Sequence, residues 1–112
     1  MNVNPLILSA LSSLSPIPIV PNHYEGSATA YIVFNYSDER PVVSGNDEDF
    51  IDTTVVQVHY FSTANPQTNK KAIRRLLRAA GFTVAPTQEF YETETKYNHV
   101  VVECEIDGAI DD

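Results

Sequence analysis

The sequence is short of cysteine and of basic residues. Cys104 is the only cysteine among 112 residues, so the chain can form neither an internal disulfide nor a zinc site built from several cysteines. Secreted domains of this size more often carry paired cysteines, and a single one favours a reducing compartment. Seven lysines and arginines stand against 15 acidic residues. The resulting net charge of −8 argues against a general nucleic-acid binder and against a protein that adheres to membrane surfaces.

Long apolar runs and glycine-rich motifs are also missing. No stretch is long enough to span a bilayer. The apolar run over residues 5–14 has no basic residue before it and is interrupted by serines, unlike a signal peptide. We therefore expect a soluble chain without a targeting segment or membrane contact. With only four glycines, the sequence contains no phosphate loop, dinucleotide fingerprint or nucleophile elbow.

The length fits one compact domain over residues 1–112. Asn-Pro pairs at 4–5 and 65–66, each followed by apolar residues at helical spacing, predict helices over 5–14 and 66–80. Alternating apolar residues predict three strands in one sheet, over 28–36, 53–61 and 97–106. We expect an α+β fold, with a small antiparallel β-sheet on which the N-terminal and second helices pack. The predicted core residues are Ile73, Leu76, Leu77, Phe34, Val56, Val58 and Val102.

Two further segments differ from the rest of the chain in composition, one acidic and one rich in proline. Residues 38–52 contain six acidic residues and one arginine, and so long a polar segment in a small domain predicts a mobile acidic loop. Three prolines in residues 16–21 favour extended backbone but remove hydrogen-bond donors. That segment is expected to be an edge strand or a connector.

The histidines and the cysteine are the first candidates for chemistry. None of His23, His59 and His99 has a second histidine at metal-ligand spacing. The nearest approach to a ligand row is His99 with Glu103 and Glu105 on one strand face, where a solvated polar face is the more common arrangement. His59 lies within an apolar strand and is expected to be a partly buried imidazole with a hydrogen-bond partner. Cys104 is expected to pack as a small apolar residue. We predict no catalytic residues, no metal and no cofactor.

Charge is segregated along the chain. Residues 66–80 carry five basic residues and no acidic one. Four of them share a helix face at i, i+3, i+4 and i+7, namely Lys71, Arg74, Arg75 and Arg78. Such a face can stabilise the helix through its macrodipole, or contact an acidic patch on a neighbouring copy. A nucleic-acid contact ranks behind both, given the net charge. The candidate subunit interface therefore comprises this face together with Asp47, Glu48 and Asp49.

The order of segments over residues 4–106 carries a further signal. A short helix is followed by Ile19-Val-Pro21, Tyr24-x-Gly26, the strand 30–34 (AYIVF), a polar loop, the strand 55–61 (VVQVHYF), a helix ending at 80–82 (AGF), and residues 91–95 (YETET) before 97–99 (YNH). This order resembles that of the small tail-terminator or tail-completion proteins of long-tailed bacteriophages. The resemblance rests on order and spacing, since no single motif in it is specific.

The resemblance implies a structural role. Proteins of that family form a ring, typically a hexamer, that caps the tail tube, ends its polymerisation and docks onto the head connector. The expected partners are therefore other copies of the chain, the tail tube protein and a head-completion protein. DNA would pass through the channel without specific binding. The expected location is the virion tail at the head–tail interface, after assembly in the bacterial cytoplasm. The family has no catalytic residues to transfer to this chain.

Three other functions stay open at the level of sequence. A head-completion or stopper protein of the phage neck also forms rings and also lacks catalytic residues. An acidic module that mimics nucleic acid would occupy a basic protein surface and remain a monomer or dimer. A metal-dependent enzyme is the least favoured alternative, because the histidines show no ligand spacing.

Overall fold

The computed structural model describes residues 3–43 and 50–107, with side chains for 3–36 and 53–107. Two α-helices and six strands form one layer of helices on one sheet. In chain order the elements are α1 (Val3–Ala10), a 3₁₀ turn (Ser12–Leu14), β1 (Ile19–Pro21), β2 (Ala30–Val43), β3 (Phe50–Ser62), α2 (Gln67–Ala79), β4 (Thr83–Val84), β5 (Gln88–Glu92) and β6 (Tyr97–Asp107). The predicted α+β class is confirmed.

The sheet is mixed rather than purely antiparallel. Its order is β1-β2-β3-β6-β4, and β5 pairs with the same edge of β6 that β4 occupies. The strands β2, β3 and β6 form the antiparallel centre. The departure from prediction is β1, which pairs parallel to β2 with Ile19 opposite Ile32. Prolines in this segment remove donors, so β1 lies at an edge and is held in part through the Pro18 carbonyl, which accepts from the Ile32 amide at 2.8 Å.

The hairpin of β2 and β3 extends further than the sequence predicts. The backbone of residues 38–43 pairs with that of 50–55, with a register shift between Tyr36 and Asp38. The prediction of a loop over 38–52 is therefore wrong for residues 38–43 and 50–52, which lie in strands. Ladder hydrogen bonds join backbone groups and need no apolar side chains, so a polar sequence does not exclude a strand. Asp47, Glu48 and Asp49 lie outside the described residues.

Both helix starts differ slightly from the predicted boundaries. Among described residues α1 begins at Val3, so Asn4 lies within the helix, where its Oδ1 accepts a 2.6 Å hydrogen bond from the Tyr36 hydroxyl. Before α2, the Asn65 side chain accepts from the Gln67 amide at 3.0 Å, which caps the first turn. The helix ends at Ala79, and Gly81 two residues later has a φ of 101°, which is unfavourable for other residues.

The core lies between the helices and one face of the sheet. The two helices contribute Val3 and Ile7 from α1 and Ile73 and Leu77 from α2, all fully buried. The sheet residues that meet them include Ile32, Phe34, Val56, Val58, Tyr60, Val100, Val102 and Cys104. The predicted core is confirmed, except that Leu76 is only partly buried. Cys104 packs as the expected small apolar residue. None of the helices in the described ranges is long and apolar enough to cross a membrane.

Candidate functional site

The helices cover one face of the sheet. The opposite face is the first candidate surface, because neither helix covers it. Strand side chains alternate between faces, so the odd-numbered residues of β3 and β6 and those of β2 before its register shift point away from the core. We call this surface the aromatic face. It consists of Tyr31, Val33, His59, Phe61, Tyr97, His99 and Val101, flanked by Tyr24 and Phe90.

Four rings on the aromatic face form one continuous stack. Tyr31 lies directly opposite Phe61, and Phe61 lies directly opposite His99. The ring centroids are 4.6 Å and 4.2 Å apart, with planes inclined by only 17° and 22°. Tyr24 extends the stack beyond the sheet, 4.4 Å from Tyr31. Tyr97 meets Tyr31 edge-on at 5.6 Å. Cross-strand ring pairs of this kind stabilise a sheet and hold each other's orientation.

The loop over residues 22–29 holds Tyr24 in place. The Tyr24 hydroxyl accepts from the Ala28 amide at 3.2 Å, and the Tyr97 hydroxyl donates to the Ala28 carbonyl at 2.7 Å. A Cβ added at Gly26 would collide with the Tyr24 ring, so only glycine allows the loop to approach so closely. The Tyr24-x-Gly26 pair in the sequence therefore builds one wall of the aromatic face.

A histidine pair occupies the middle of the aromatic face. His59 Nδ1 lies 2.8 Å from His99 Nε2, and His99 Nδ1 lies 3.3 Å from Glu92 Oε2. With Glu92 ionised, the consistent assignment is that His99 donates from Nδ1 to the carboxylate and accepts at Nε2 from His59. Burial lowers the pKa of His59, and the neighbouring His99 lowers it further. Burial also lowers the pKa of His99, against the opposing effect of Glu92.

The histidine contacts correct part of the sequence interpretation. The expectation of a partly buried His59 with a partner is confirmed. His99 was expected beside Glu103 and Glu105 on a polar face, but its hydrogen-bonding partners are His59 and Glu92. Within the described residues no three histidine, cysteine or acidic side chains gather in a way that could hold a metal ion.

An open cleft of about 280 Å³ lies on the aromatic face beside the histidine pair. Its lining residues are Asn22, His23, Tyr24, Tyr31, Val33, Asn35, His59 and Phe61. Rings form its floor and polar groups its rim. The strand segments 30–36, 53–62, 88–92 and 97–107 contain no lysine or arginine, whereas Glu92 and Glu103 are partly exposed on this side of the sheet. The face therefore combines aromatic rings with negative charge, a combination that favours cationic groups.

The basic face of α2 is the second candidate surface, and the structure divides its residues into two groups. Arg74 is half-buried and donates from Nη1 to the Ala85 carbonyl at 2.9 Å and to the Thr87 hydroxyl. This arginine ties the helix to the segment between β4 and β5. Lys70 lies 3.0 Å from Glu89, whose pKa is lowered by hydrogen bonds from Lys70 and Gln67. Both cations thus act within the domain.

The other three cations of α2 point outward. Lys71, Arg75 and Arg78 are exposed and form no ion pair with another residue of the described ranges. They lie at i, i+4 and i+7 on the side opposite the buried Ile73 and Leu77. Because α2 packs on the core face of the sheet, these cations and the aromatic face lie on opposite sides of the domain.

Sequence reasoning found the basic helix but missed the aromatic face. The signal for it is the alternation of rings on the outer positions, Tyr31, His59, Phe61, Tyr97 and His99. Apolar and aromatic residues on both sides of a strand indicate a sheet that is covered on both faces. Which rings stack depends on strand register, which the sequence does not reveal.

Comparison with known proteins shows a likeness of fold and no match by sequence. No protein-family model and no curated protein sequence matches the chain. Among solved structures, the fold is similar to that of a chain described as "Virion of native gene transfer agent (GTA) particle". The TM-score is 0.52 and the sequence identity 9%, with 91% of this chain and 84% of that chain covered. At this identity the likeness shows a shared fold.

Proposed function

We propose that this chain is a structural virion protein that forms a ring at the end of a phage-type tail tube. The ring would end tube polymerisation and join the tail to the head connector. The observation that carries the proposal is the fold similarity over 91% of the chain to a chain of a gene transfer agent virion. The segment order that resembles tail-terminator proteins supports the finer assignment. No enzymatic activity is part of the proposal.

The two surfaces of the domain support ring formation. A ring of identical copies needs two different patches on each copy, because each copy presents one patch forward and the other backward. The exposed cations of α2 lie on one side of the domain and the aromatic face on the other. Their opposite charge would select the head-to-tail pairing over contacts between like surfaces. Closure as a hexamer, the number typical of tail terminators, is part of the proposal.

The net charge of −8 fits a channel through which DNA passes. Acidic residues near a DNA path repel phosphates, so they would oppose retention of the nucleic acid. The proposed partners are the tail tube protein on one side of the ring and a head-completion or connector protein on the other. The protein would be made in the bacterial cytoplasm and reside in the virion.

The direct test uses the tail tube protein from the same genome. Tubes polymerised with and without this chain are compared by negative-stain electron microscopy. We expect the chain to bind tube ends as a ring and to stop elongation at substoichiometric amounts. Unaltered tube lengths, with no density at the ends, would contradict the terminator assignment. Binding to the head connector without binding to tubes would instead identify a stopper protein of the neck.

A further inference from the structure

We propose that one end of the uncovered sheet face is the docking surface for the exposed cations of α2 from a second copy of this chain. The surface is a line of three carboxylates on β6, which we call the acidic row: Glu103, Glu105 and Asp107. The inference rests on the proposed function, since it names the contact that joins neighbouring copies in the ring. It differs from the sequence-based hypothesis, in which the basic helix contacts residues 38–52.

The acidic row lies on the face of the sheet that neither helix covers. Cys104 belongs to the core, so the alternation of β6 directs the three carboxylates to the opposite face. Glu105 and Asp107 are exposed and Glu103 is partly exposed. None of them forms an ion pair with another described residue, although the Thr53 hydroxyl donates to Asp107 Oδ1 at 3.4 Å. Three like charges in line repel one another, and a line of cations would relieve that repulsion.

A shallow hollow beside the acidic row offers a place for one cation to enter. It has a volume of about 110 Å³ and lies where β4 pairs with β6. The apolar stem of a long basic side chain can pack in such a hollow while its charged end stays near the carboxylates. Arg74 of the same copy reaches this segment through the Ala85 carbonyl but forms no ion pair with the acidic row. The hollow is lined by Thr83, Ala85, Glu103, Cys104 and Glu105.

The exposed cations of α2 match the acidic row in number and spacing. Lys71, Arg75 and Arg78 are exposed and form no ion pair with another described residue. At about 1.5 Å per helical residue, they follow one another at about 6 Å and about 4.5 Å along the axis. At about 3.4 Å per strand residue, the carboxylates are about 7 Å apart. Flexible basic side chains bridge so small a difference, so three pairs can form together.

Charge and topology favour a second copy as the occupant. Residues 44–49 and 108–112 of the same chain carry five acidic residues and no basic one, so the acidic row would repel them. The exposed cations of α2 lie across the sheet from the acidic row, because α2 packs on the core face. Each contact between two copies therefore leaves one cation line and one acidic row free. Such contacts continue from copy to copy, as a ring requires.

The test joins touching lysines and carboxylates with a carbodiimide, which forms an amide bond without adding a spacer. Isotope-labelled and unlabelled full-length chains are mixed, and the cross-linked peptides are identified by mass. We expect mixed-isotope peptides that join Lys71 to Glu103 or Glu105. The internal control is the amide between Lys70 and Glu89 of one chain, whose charged atoms lie 3.0 Å apart.

Charge reversal tests whether the two lines recognise each other. One chain carries Arg75→Glu and Arg78→Glu, and the other carries Glu103→Lys and Glu105→Lys. Alone, each should give about tenfold less dimer joined between α2 and β6, because like charges then face each other. An equal mixture of the two chains should restore the yield, through amides between the introduced lysines and the introduced glutamates.

Two exposed residues outside both lines provide matched controls. Glu94→Lys and Lys96→Glu, in the turn after β5, should leave the yield of this dimer unchanged. Circular dichroism and thermal unfolding establish that each variant is folded. Where reversal at the partly exposed Glu103 lowers stability, the exposed pair Glu105→Lys and Asp107→Lys takes its place.

Three results would overturn the proposal. The first is the Lys70–Glu89 amide without any mixed-isotope peptide between α2 and β6. The second is cross-linking of Lys71 to carboxylates of residues 38–52 in place of β6, which would favour the sequence-based hypothesis. The third is a mixture of the two reversed chains that gives no more dimer than either chain alone.

Failure of this inference and failure of the proposed function give different results. Capped tubes without the cross-link between α2 and β6 would mean that a ring forms through other surfaces. A cross-link that responds to both reversals, with tubes left uncapped, would place the same contact in another assembly. The cross-linking readout therefore does not depend on the tail tube protein.

Discussion

At the scale of single residues, the contact between His59 and His99 makes the aromatic face sensitive to pH. The 2.8 Å distance between their ring nitrogens needs one donor and one acceptor, so at least one ring must be neutral. Two protonated rings would bring like charges together and remove the acceptor. Glu92 stabilises a protonated His99 but does not touch His59 in the described contacts. Protonation of the pair would therefore disturb the ring stack that it completes.

The lowered pKa values predict a loss of stability in mild acid. The unfolded chain takes up protons at its histidines near pH 6.5, whereas the folded chain takes them up at His59 and His99 only at lower pH. The free energy of unfolding should therefore decrease as the pH falls below about 6.5, and level off below the folded-state pKa values. Urea unfolding at a series of pH values between about 7.5 and 5 measures this decrease.

Substitution separates this effect from general acid destabilisation. A variant with His59→Gln and His99→Gln should lose less stability over the same pH interval than the unsubstituted chain. His23→Gln is the control, because His23 is an exposed histidine 3.5 Å from Glu25. If the double variant and the unsubstituted chain show the same pH dependence, the histidine pair is not responsible.

The residue scale also shows where sequence reasoning fails. His59 could be predicted as a partly buried imidazole because it interrupts an apolar strand. Its partner could not, because His99 lies 40 residues away and faces His59 only through the register of β3 with β6. Similarly, Arg74 and Arg75 are indistinguishable by sequence pattern. In the folded domain Arg74 donates a hydrogen bond to the Ala85 carbonyl, and this contact holds its guanidinium within the domain.

At the scale of elements, α2 was the most predictable part of the molecule. An Asn-Pro start, an apolar stripe and a glycine at the end agree with one another, and each acts locally. By contrast, the parallel pairing of β1 and the length of the β2–β3 hairpin depend on contacts between distant segments. Backbone pairing continues past Tyr36 despite a polar sequence, which composition alone assigns to a loop.

The packing of α2 predicts unequal effects for two adjacent leucines. Leu77 is fully buried among core residues, so Leu77→Ala should lower the free energy of unfolding by about 2–5 kcal/mol. Leu76 is partly buried at the edge of the core, so Leu76→Ala should have a clearly smaller effect. Chemical denaturation of both variants measures the difference. A larger effect at Leu76 would mean that the helix is rotated relative to the sheet.

At the scale of the whole molecule, this chain shares its fold with a protein to which its sequence is hardly similar. A virion chain with 9% identity shares the architecture over most of its length. Cores tolerate many apolar combinations when pattern and volume are kept, whereas surfaces change with each partner. The alternation that builds the sheet is therefore readable from one sequence. The surfaces that determine what the protein binds must be taken from the folded domain.

The separation of charge across the molecule predicts that association depends on salt. The screening length falls from about 10 Å at 0.1 M salt to about 3 Å at 1 M. The extent of self-association, measured by sedimentation at both salt concentrations, should therefore decrease markedly between them. Association that is unchanged or stronger at 1 M would indicate an interface held by apolar contacts alone.

The burial of Cys104 has a consequence for the chemical durability of the protein. The thiol is 1% exposed, and burial together with Glu103 and Glu105 raises its pKa to about 12. Thiolates are the species that oxidants attack, so at neutral pH this sulfur is nearly unreactive as well as inaccessible. In the virion role proposed above, the protein would be synthesised in a reducing cell and then exposed to air. Because its one thiol is buried and protonated, the folded chain would pass between the two environments without oxidation at sulfur.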